Sequence, residues 1–409
     1  MDDIISRGHE PRRGPWPRRL AIGAIVVAVL AVVVVQHLPG GVAPGPHRSG
    51  AAAGARRASA GPAPPAGTFR AVRPAGPNGI AGPTAAWAAH LRLPVGGYRP
   101  AWLWPATGRL EPIGGLPATR SAYVFTRVQG GWAVQPTAAA GPGCAGCAAR
   151  PLPVYFLADR ARSVTAVGVA DQVVTAAEPG ELWLTSFPPG ADPARAAGFA
   201  QEVSVGGAPL GAPVRLPAGY LIDAATERGL LLVRAVQAGP APIYDLWNPA
   251  LGTVSRRFSG VIAASADQIA WTSGCAARRL VHVLDLATGR RTEIALSQAS
   301  SAARGAFSPD GRLLALELSF GNGGDGGAVA TQLEVATVPG GRLRVVPGTW
   351  ASSDALTGFG WPAGDDSLVA ELSFLTKVQV ASWRPGARRL AVAVVPPGQD
   401  PSALVVGQS

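Results

Sequence analysis

From residue 87 onward, the sequence repeats one pattern: two strand-like runs, a variable loop, an apolar run, a tight turn and a last run. The tight turns combine proline, which fixes φ, with glycine, which accepts positive φ, as a sharp reversal of the chain requires. The repeated units begin near Trp87, Ser121, Ala170, Tyr220, Ile262, Arg304 and Thr357. Their spacings, about 34 to 53 residues, bracket the length of a propeller blade.

Four short strands in each unit are typical of sheets that pack radially around an axis. The sequence therefore predicts an all-β fold, a β-propeller of seven four-stranded blades over residues 81–409. Six or eight blades are alternatives because the first unit is incomplete, and an array of β-sandwiches is the competing architecture. We expect the tail strand at 403–406 to pair with the first unit and close the ring.

One unit carries a specific signature. Residues 307–316 read F-S-P-D-G-R-L-L-A-L, and 360–370 repeat a weaker form of it. This segment resembles the repeat of TolB-type propellers, in which S-P-D-G forms the turn between the two innermost strands. The whole layout is also similar to exported, membrane-tethered propeller proteins of actinobacteria. The resemblance implies a fold, an exported location and a tendency to bind other proteins, but it assigns no binding residue.

The N-terminal region predicts a membrane anchor. Residues 20–38 are uncharged and long enough, at roughly 28 Å as a helix, to span the hydrocarbon core. A cleaved signal peptide is the alternative, although no A-x-A cleavage pattern follows. Five arginines precede the apolar stretch, so we expect residues 1–19 to form a basic cytoplasmic tail and the rest to be exported across the cell membrane.

Residues 39–80 consist almost entirely of proline, glycine, alanine, serine and arginine, which predicts a disordered tether between anchor and propeller. Ten arginines and three acidic residues give residues 1–80 a charge of +7, which leaves +4 of the total +11 for residues 81–409. This remaining part shows no basic stripe with interleaved aromatic residues, so nucleic-acid binding is not expected.

The three cysteines define one candidate site. Cys144 and Cys147 have the spacing of a redox motif, but they lie in a loop rich in glycine and alanine instead of at the start of a helix. In an exported protein we expect them to form a structural disulfide. Cys147 and Cys275 each lie within a G-C-A-A-R sequence. This match predicts that Cys275 occupies the equivalent loop of a distant unit and stays unpaired.

Other candidates for chemistry are weak. His282 lies in an alternating strand, and without an H-x-x-H pattern we expect no metal site and no cofactor. Four aspartates recur near unit starts: Asp171, Asp223, Asp267 and Asp310. We expect most of them to form turns, although acids near a propeller axis can bind cations. The pair Asp365 and Asp366 indicates a solvated turn.

The sequence leads to a functional expectation. Loops between second and third strands are predicted to project from one face, at 136–150, 187–199, 237–242, 273–279, 320–328 and 374–376. Variable loops on a rigid scaffold commonly bind partners. We therefore expect a monomeric, non-catalytic binding module that contacts the bilayer through 20–38 and recognises an envelope protein or ligand. The alternatives are an exported hydrolase or lyase that uses acids near the axis, and a sensor for small ligands.

Overall fold

The computed structural model describes most of the chain from residue 85 onward. The described ranges are 85–96, 99–119, 121–128, 130–137, 151–235, 242–274, 279–296, 301–320, 330–349, 351–352, 356–362, 366–374, 377–396 and 404–405. The predicted tail, anchor and tether (1–19, 20–38 and 39–80) lie outside them, as do all three cysteines.

The described strands form seven sheets, numbered here as blades 1 to 7 in chain order, and consecutive strands within each blade are antiparallel. Blade 1 consists of β1 (Leu93–Val95), β2 (Ala101–Trp104) and β3 (Arg109–Pro112). Blade 2 consists of β4 (Tyr123–Val128), β5 (Gly131–Pro136), β6 (Leu152–Ala158) and β7 (Thr165–Ala170). Blade 3 consists of β8 (Gln172–Thr175), β9 (Glu181–Ser186), β10 (Phe199–Ser204) and β11 (Val214–Arg215).

The second half of the chain continues in the same way. Blade 4 consists of β12 (Tyr220–Thr226), β13 (Gly229–Arg234), β14 (Ile243–Asn248) and β15 (Thr253–Ser259). Blade 5 consists of β16 (Val261–Ala264), β17 (Gln268–Ser273), β18 (Leu280–Asp285) and β19 (Arg291–Ala295). Blade 6 consists of β20 (Ser301–Phe307), β21 (Leu313–Phe320), β22 (Ala330–Thr337), β23 (Leu343–Val345) and the added strand β24 (Ala351–Ser352). Blade 7 consists of β25 (Leu356–Gly360), β26 (Leu368–Phe374), β27 (Lys377–Trp383) and β28 (Ala391–Val394).

The prediction of a seven-bladed, all-β propeller is confirmed, and the repeat boundaries lie close to the observed strands. First strands of blades 2 to 7 begin at residues 123, 172, 220, 261, 301 and 356, against the predicted unit starts 121, 170, 220, 262, 304 and 357. The S-P-D-G turn also lies where the resemblance implied, between the first two strands of blade 6. There the Ser308 hydroxyl donates to Asp310 and accepts the amide of Leu313, while Gly311 takes a φ of 66°.

Hydrophobic packing between neighbouring blades closes the ring. Five clusters of buried side chains each join one pair of consecutive blades, from blades 2 and 3 to blades 6 and 7. A sixth cluster contains Trp102 of blade 1, Phe125 and Trp132 of blade 2, and Val369 and Val380 of blade 7. Because this cluster joins the first and last blades, the sheets form a closed circle.

The closing strand differs from our expectation. The C-terminal strand β29 (Leu404–Val405) pairs in parallel with β4 of blade 2, at that sheet's innermost edge, so the predicted pairing with the first unit is wrong. The turn at 104–109 aligns with turns between third and fourth strands elsewhere, so the three described strands of blade 1 correspond to the second, third and fourth strands of the other blades. An innermost strand is missing from the described part of blade 1. Since β29 also contacts β25 of blade 7, it lies beside that gap.

Polar side chains reinforce contacts both within and between blades. Gln135 donates to the carbonyl of Ala170 at 2.9 Å, which ties β5 to the end of β7 within blade 2. Gln172 donates to the carbonyl of Ile222 at 2.6 Å, which links blade 3 to the inner strand of blade 4. Because buried backbone carbonyls are costly to leave unpaired, the Gln172 bond helps to fix how blades 3 and 4 are aligned.

Arg304 makes the most extensive of these links. Its Nε atom is 2.6 Å from the Glu317 carboxylate within blade 6, and its two terminal nitrogens donate at 3.1 Å to the carbonyls of Leu356 and Thr357 in blade 7. The Glu317 side chain is 7% exposed, and that of Arg304 is 38% exposed. Removing the guanidinium would leave a buried carboxylate without its counter-ion.

We expect Arg304→Met to lower the free energy of unfolding by about 2 kcal/mol, less than for a fully enclosed pair because the guanidinium is partly solvated. The matched control is Arg312→Met, since that side chain is 83% exposed and 3.8 Å from Asp310. It should cost less than about 0.5 kcal/mol. Denaturant unfolding of the three proteins measures the difference, and equal midpoints would contradict a bridging role for Arg304.

Candidate functional site

The two faces of the ring differ in the connections that they carry. Strand order places the links between second and third strands on one edge, called here the variable-loop face. These links range from two residues (375–376) to fifteen (137–151). Links between third and fourth strands, on the opposite tight-turn face, range only from four (105–108) to nine (205–213). Length variation is therefore concentrated on one face, as the sequence predicts.

The loop 187–198 of blade 3 is described in full, and backbone contacts hold it in place. The Asp192 side chain accepts the amide of Ala194, and the Ala196 carbonyl accepts the amide of Gly219 in the link to blade 4. Gly219 has a φ of +76°, and a Cβ atom there would lie 2.8 Å from the Ala194 carbonyl oxygen. A glycine is therefore required where this loop rests on the ring, and the loop forms a fixed platform.

The cysteine site lies outside the described residues. Cys144 and Cys147 fall in the link between β5 and β6, and Cys275 falls in the link between β17 and β18. The Cys144–Cys147 disulfide accordingly stays a prediction. Both links belong to the variable-loop face by strand order.

The innermost strands, which border the axis, carry one polar group of particular interest. Four of them have a bulge at the equivalent point, which leaves one residue outside the regular pairing: Asp223, Ile262, Ala303 and Thr357. Only one of these four is acidic. The other recurrent aspartates are engaged locally, since Asp267 and Asp310 accept bonds within turns and Asp171 accepts the amide of Phe187.

Burial alone perturbs Asp223. Loss of solvation raises the pKa of its carboxyl group to about 6, and the nearby carboxylate in turn contributes to a raised pKa for Tyr244, after that residue's own burial. Part of the Asp223 population is therefore protonated near neutral pH. A single such carboxyl group can exchange a proton, but glycosidase chemistry requires two opposed carboxyl groups.

A second cluster lies where blade 5 meets the variable-loop face. Ser273, the exposed last residue of β17, makes a short hydrogen bond to Nε2 of His282, which is 1% exposed. On the other ring nitrogen, Nδ1, Arg291 approaches with Nε at 3.1 Å and Nη2 at 2.8 Å. Glu293 lies farther away, with Oε1 3.5 Å from Nδ1. Serine, histidine and an acid are thus brought together, an arrangement that the sequence analysis missed.

The direction of the hydrogen bonds decides what this cluster can do. Arginine is always protonated and only donates. Arg291 Nη2 lies near both ring nitrogens, 2.8 Å from Nδ1 and 3.1 Å from Nε2, but the Nε atom donates to Nδ1 alone. The Nε bond therefore assigns the accepting role to Nδ1 and the imidazole proton to Nε2. In that tautomer His282 donates to Ser273 and cannot remove the proton of the hydroxyl, as a hydrolytic triad requires. Burial and the charge of Arg291 both lower the pKa of His282, which keeps the imidazole neutral. The cluster is a chain of donors that ends at Ser273.

A third feature is a cleft of about 370 Å³ between blades 3 and 4 on the tight-turn face. Its lining includes Glu178, Glu202, Glu227 and Arg228. Burial raises the pKa of Glu202, with smaller contributions from Glu181 and Glu178. Within the described ranges, no three His, Cys, Asp or Glu side chains are placed to hold a metal ion.

The chain is similar to several solved structures of other proteins. No family model matches it, and no curated protein matches it. TolB from Acinetobacter baumannii is similar, with 11% identity, a TM-score of 0.41 and coverage of 78% of this chain and 79% of that one. A putative TolB from Agrobacterium tumefaciens has 11% identity, a TM-score of 0.34 and coverage of 75% and 88%.

The propeller domain of the Trilobed protease from Pyrococcus furiosus has 11% identity, a TM-score of 0.36 and coverage of 69% of this chain and all of that one. TolB proteins are thus among the structures to which this chain is similar. Because the TM-scores of all three structures lie below 0.5, we infer no activity or partner from them. The seven sheets themselves define the protein as a seven-bladed β-propeller.

The pKa of Asp223 gives a pH prediction. The unfolded carboxyl titrates near 3.8 and the folded one near 6, so between these values the folded state binds more protons and stability falls as pH rises. Asp223→Asn should remove this loss. The gain in the free energy of unfolding of the variant over the parent protein should therefore be about 2 kcal/mol larger at pH 8 than at pH 4. Thermal unfolding across that range measures the effect.

The matched control is Asp310→Asn. A bond from Ser308 lowers the pKa of Asp310, so this carboxylate stabilises the fold above the unfolded pKa and loses that effect as pH falls. The two substitutions should therefore change neutral-pH stability in opposite directions. An unchanged pH profile in Asp223→Asn would show that this carboxyl is solvated in the folded protein.

Proposed function

We propose that this protein is a membrane-anchored, extracytoplasmic β-propeller that binds an envelope protein or ligand without catalysing a reaction. The unequal faces of the ring are the observation that carries the proposal. A rigid circle of sheets holds loops of two to fifteen residues on one face, and the loop 187–198 is fixed there by backbone contacts. Such an arrangement presents a fixed surface for recognition.

The membrane-related part of the proposal rests on sequence. Residues 20–38 supply an uncharged apolar stretch of bilayer length after five arginines, and 39–80 have the proline- and glycine-rich composition expected of a tether. Within the ranges that the structure describes, none of the secondary structure is a helix with the length and apolar character needed to span a membrane. The stretch 20–38 lies outside those ranges.

The chemistry of the described residues favours binding over catalysis. Only one of the four bulge residues beside the axis is acidic, and His282 is oriented to donate to Ser273 instead of activating it. The runner-up, an exported hydrolase or lyase, draws support from the cleft with three glutamates. That cleft lies between two blades on the tight-turn face, not at the axis.

Crosslinking of the full-length protein in intact membranes, followed by its purification, tests the proposal. Replacing 188–197 with a two-residue Asn-Gly turn removes the platform while Phe187 and Gly198 still join β9 to β10. We expect this variant to retain its melting temperature within a few degrees and to lose the crosslinked partner, because the recognition surface is gone.

The control applies the same Asn-Gly replacement to 249–252 on the tight-turn face, between β14 and β15. This variant should capture the partner as the parent protein does. Undiminished capture after the graft at 188–197, or an equal loss after the graft at 249–252, would refute recognition by the variable-loop face.

A further inference from the structure

We propose that Ser273 and Arg291 form a binding site for a carboxylate group of the partner. This inference deepens the proposed function, since Ser273 ends β17 where the chain enters the variable-loop face. The site is a chain of three groups: the Arg291 guanidinium donates to His282, and His282 donates to the Ser273 hydroxyl. The site shares no residue with the Asp223 position or with the cleft between blades 3 and 4.

Among the described residues, none accepts the last hydrogen of the donor chain, that of the Ser273 hydroxyl. Ser273 oxygen already accepts from His282 Nε2, so its own hydroxyl hydrogen is available to an acceptor. Ser273 is exposed, and the acceptor can therefore belong to another molecule. Donors linked in series polarise one another, so the arginine charge strengthens this hydroxyl as a donor.

Two contacts at one nitrogen place the hydroxyl and the guanidinium side by side. Arg291 Nη2 lies 3.1 Å from His282 Nε2, the same atom that contacts the Ser273 hydroxyl. The Arg291 side chain is 47% exposed. One planar carboxylate can therefore accept from both groups, and arginine favours such pairs because its donors match carboxylate geometry.

Blades 4 and 5 enclose the site with aromatic rings. Trp271 lies 5.2 Å from the His282 ring and 5.2 Å from Phe258, and the Arg291 guanidinium lies over Trp271 at 5.3 Å. On the blade 4 side Arg256 lies over Phe258 at 5.5 Å. Contact with the Trp271 ring limits the freedom of the Arg291 guanidinium, so less conformational entropy is lost when it binds an acid.

Charges near the site favour a carboxylate over a phosphate. Glu293 is the acid closest to Arg291, at 3.5 Å and with 52% of its side chain exposed. A dianionic phosphate would meet stronger repulsion from Glu293 than a single carboxylate would. Phosphate also needs more donors than one hydroxyl and one shared guanidinium.

Proton-detected NMR of the full-length protein, labelled with ¹⁵N at histidine, provides the test. The two imidazole nitrogens of His282 should show the tautomer with hydrogen on Nε2. Sodium acetate, added at constant ionic strength, serves as the probe and should shift the His282 signals in a saturable manner. Inorganic phosphate, titrated in parallel, should bind more weakly than acetate.

Four variants identify the contacts. Ser273→Ala and Arg291→Met should each weaken acetate binding about tenfold, because each removes a hydrogen bond to a charged group. Glu293→Gln should strengthen acetate binding, since the competing acid is neutralised. The matched control is Arg290→Met, which removes the same charge from the adjacent, exposed residue and should leave acetate binding unchanged.

Three results would overturn the inference: hydrogen on Nδ1 of His282, equal acetate affinity in Ser273→Ala and the parent protein, or tighter binding of phosphate than of acetate. Ser273 is exposed, so its alanine variant should keep the parent melting temperature. A failed acetate response with intact partner capture removes this inference and leaves the proposed function standing. The reverse result removes the proposed function alone.

Discussion

Every central strand of this molecule has to bury both of its faces, and this requirement organises the ring. In β13, Leu230 and Leu232 pack toward blade 3 while Leu231, between them, packs toward blade 5. One short strand thus contributes to two interfaces, so no blade has a complete core by itself. Packing in a circle supplies both neighbours for each sheet, and the cluster around Trp102 provides them where the first and last blades meet.

The residues that stabilise the ring are different from those that we propose to bind a partner. Buried contacts between sheets fix the strands, while the links on the variable-loop face are free to differ in length without disturbing those contacts. Half-buried polar side chains tie neighbouring blades together through backbone carbonyls, as Gln172 and Arg304 do. The buried His282 side chain connects two exposed groups, the Ser273 hydroxyl and the Arg291 guanidinium, at the surface of blade 5.

Local signals made much of the fold predictable. The first strands of blades 4 and 5 begin within one residue of the predicted unit starts, and the S-P-D-G segment forms the expected turn. These features follow from neighbours along the chain: alternation, glycine and proline. The pairing partner of the C-terminal strand could not be predicted from such local signals, because β29 and β4 are almost 280 residues apart and only the closed ring brings them together.

The candidate site was less predictable for the same reason. The sequence places His282 in an alternating strand but does not reveal its contacts, and in the structure it is buried and hydrogen-bonded. Its partners Ser273 and Arg291 stand nine residues away on either side, a spacing that has meaning only once the register of β17, β18 and β19 is known. The bulge that isolates Asp223 is likewise a property of strand pairing. The cysteine loops and the anchor lie outside the described residues.

Native-state hydrogen exchange of the full-length protein, resolved by peptide, tests the closed ring most directly. If the ring is one cooperative unit, amides of β2 in blade 1 should exchange through the same opening as those of β5 and β26 in the flanking blades. Rapid exchange throughout β1, β2 and β3, with β25 to β28 still protected, would contradict closure through blade 1.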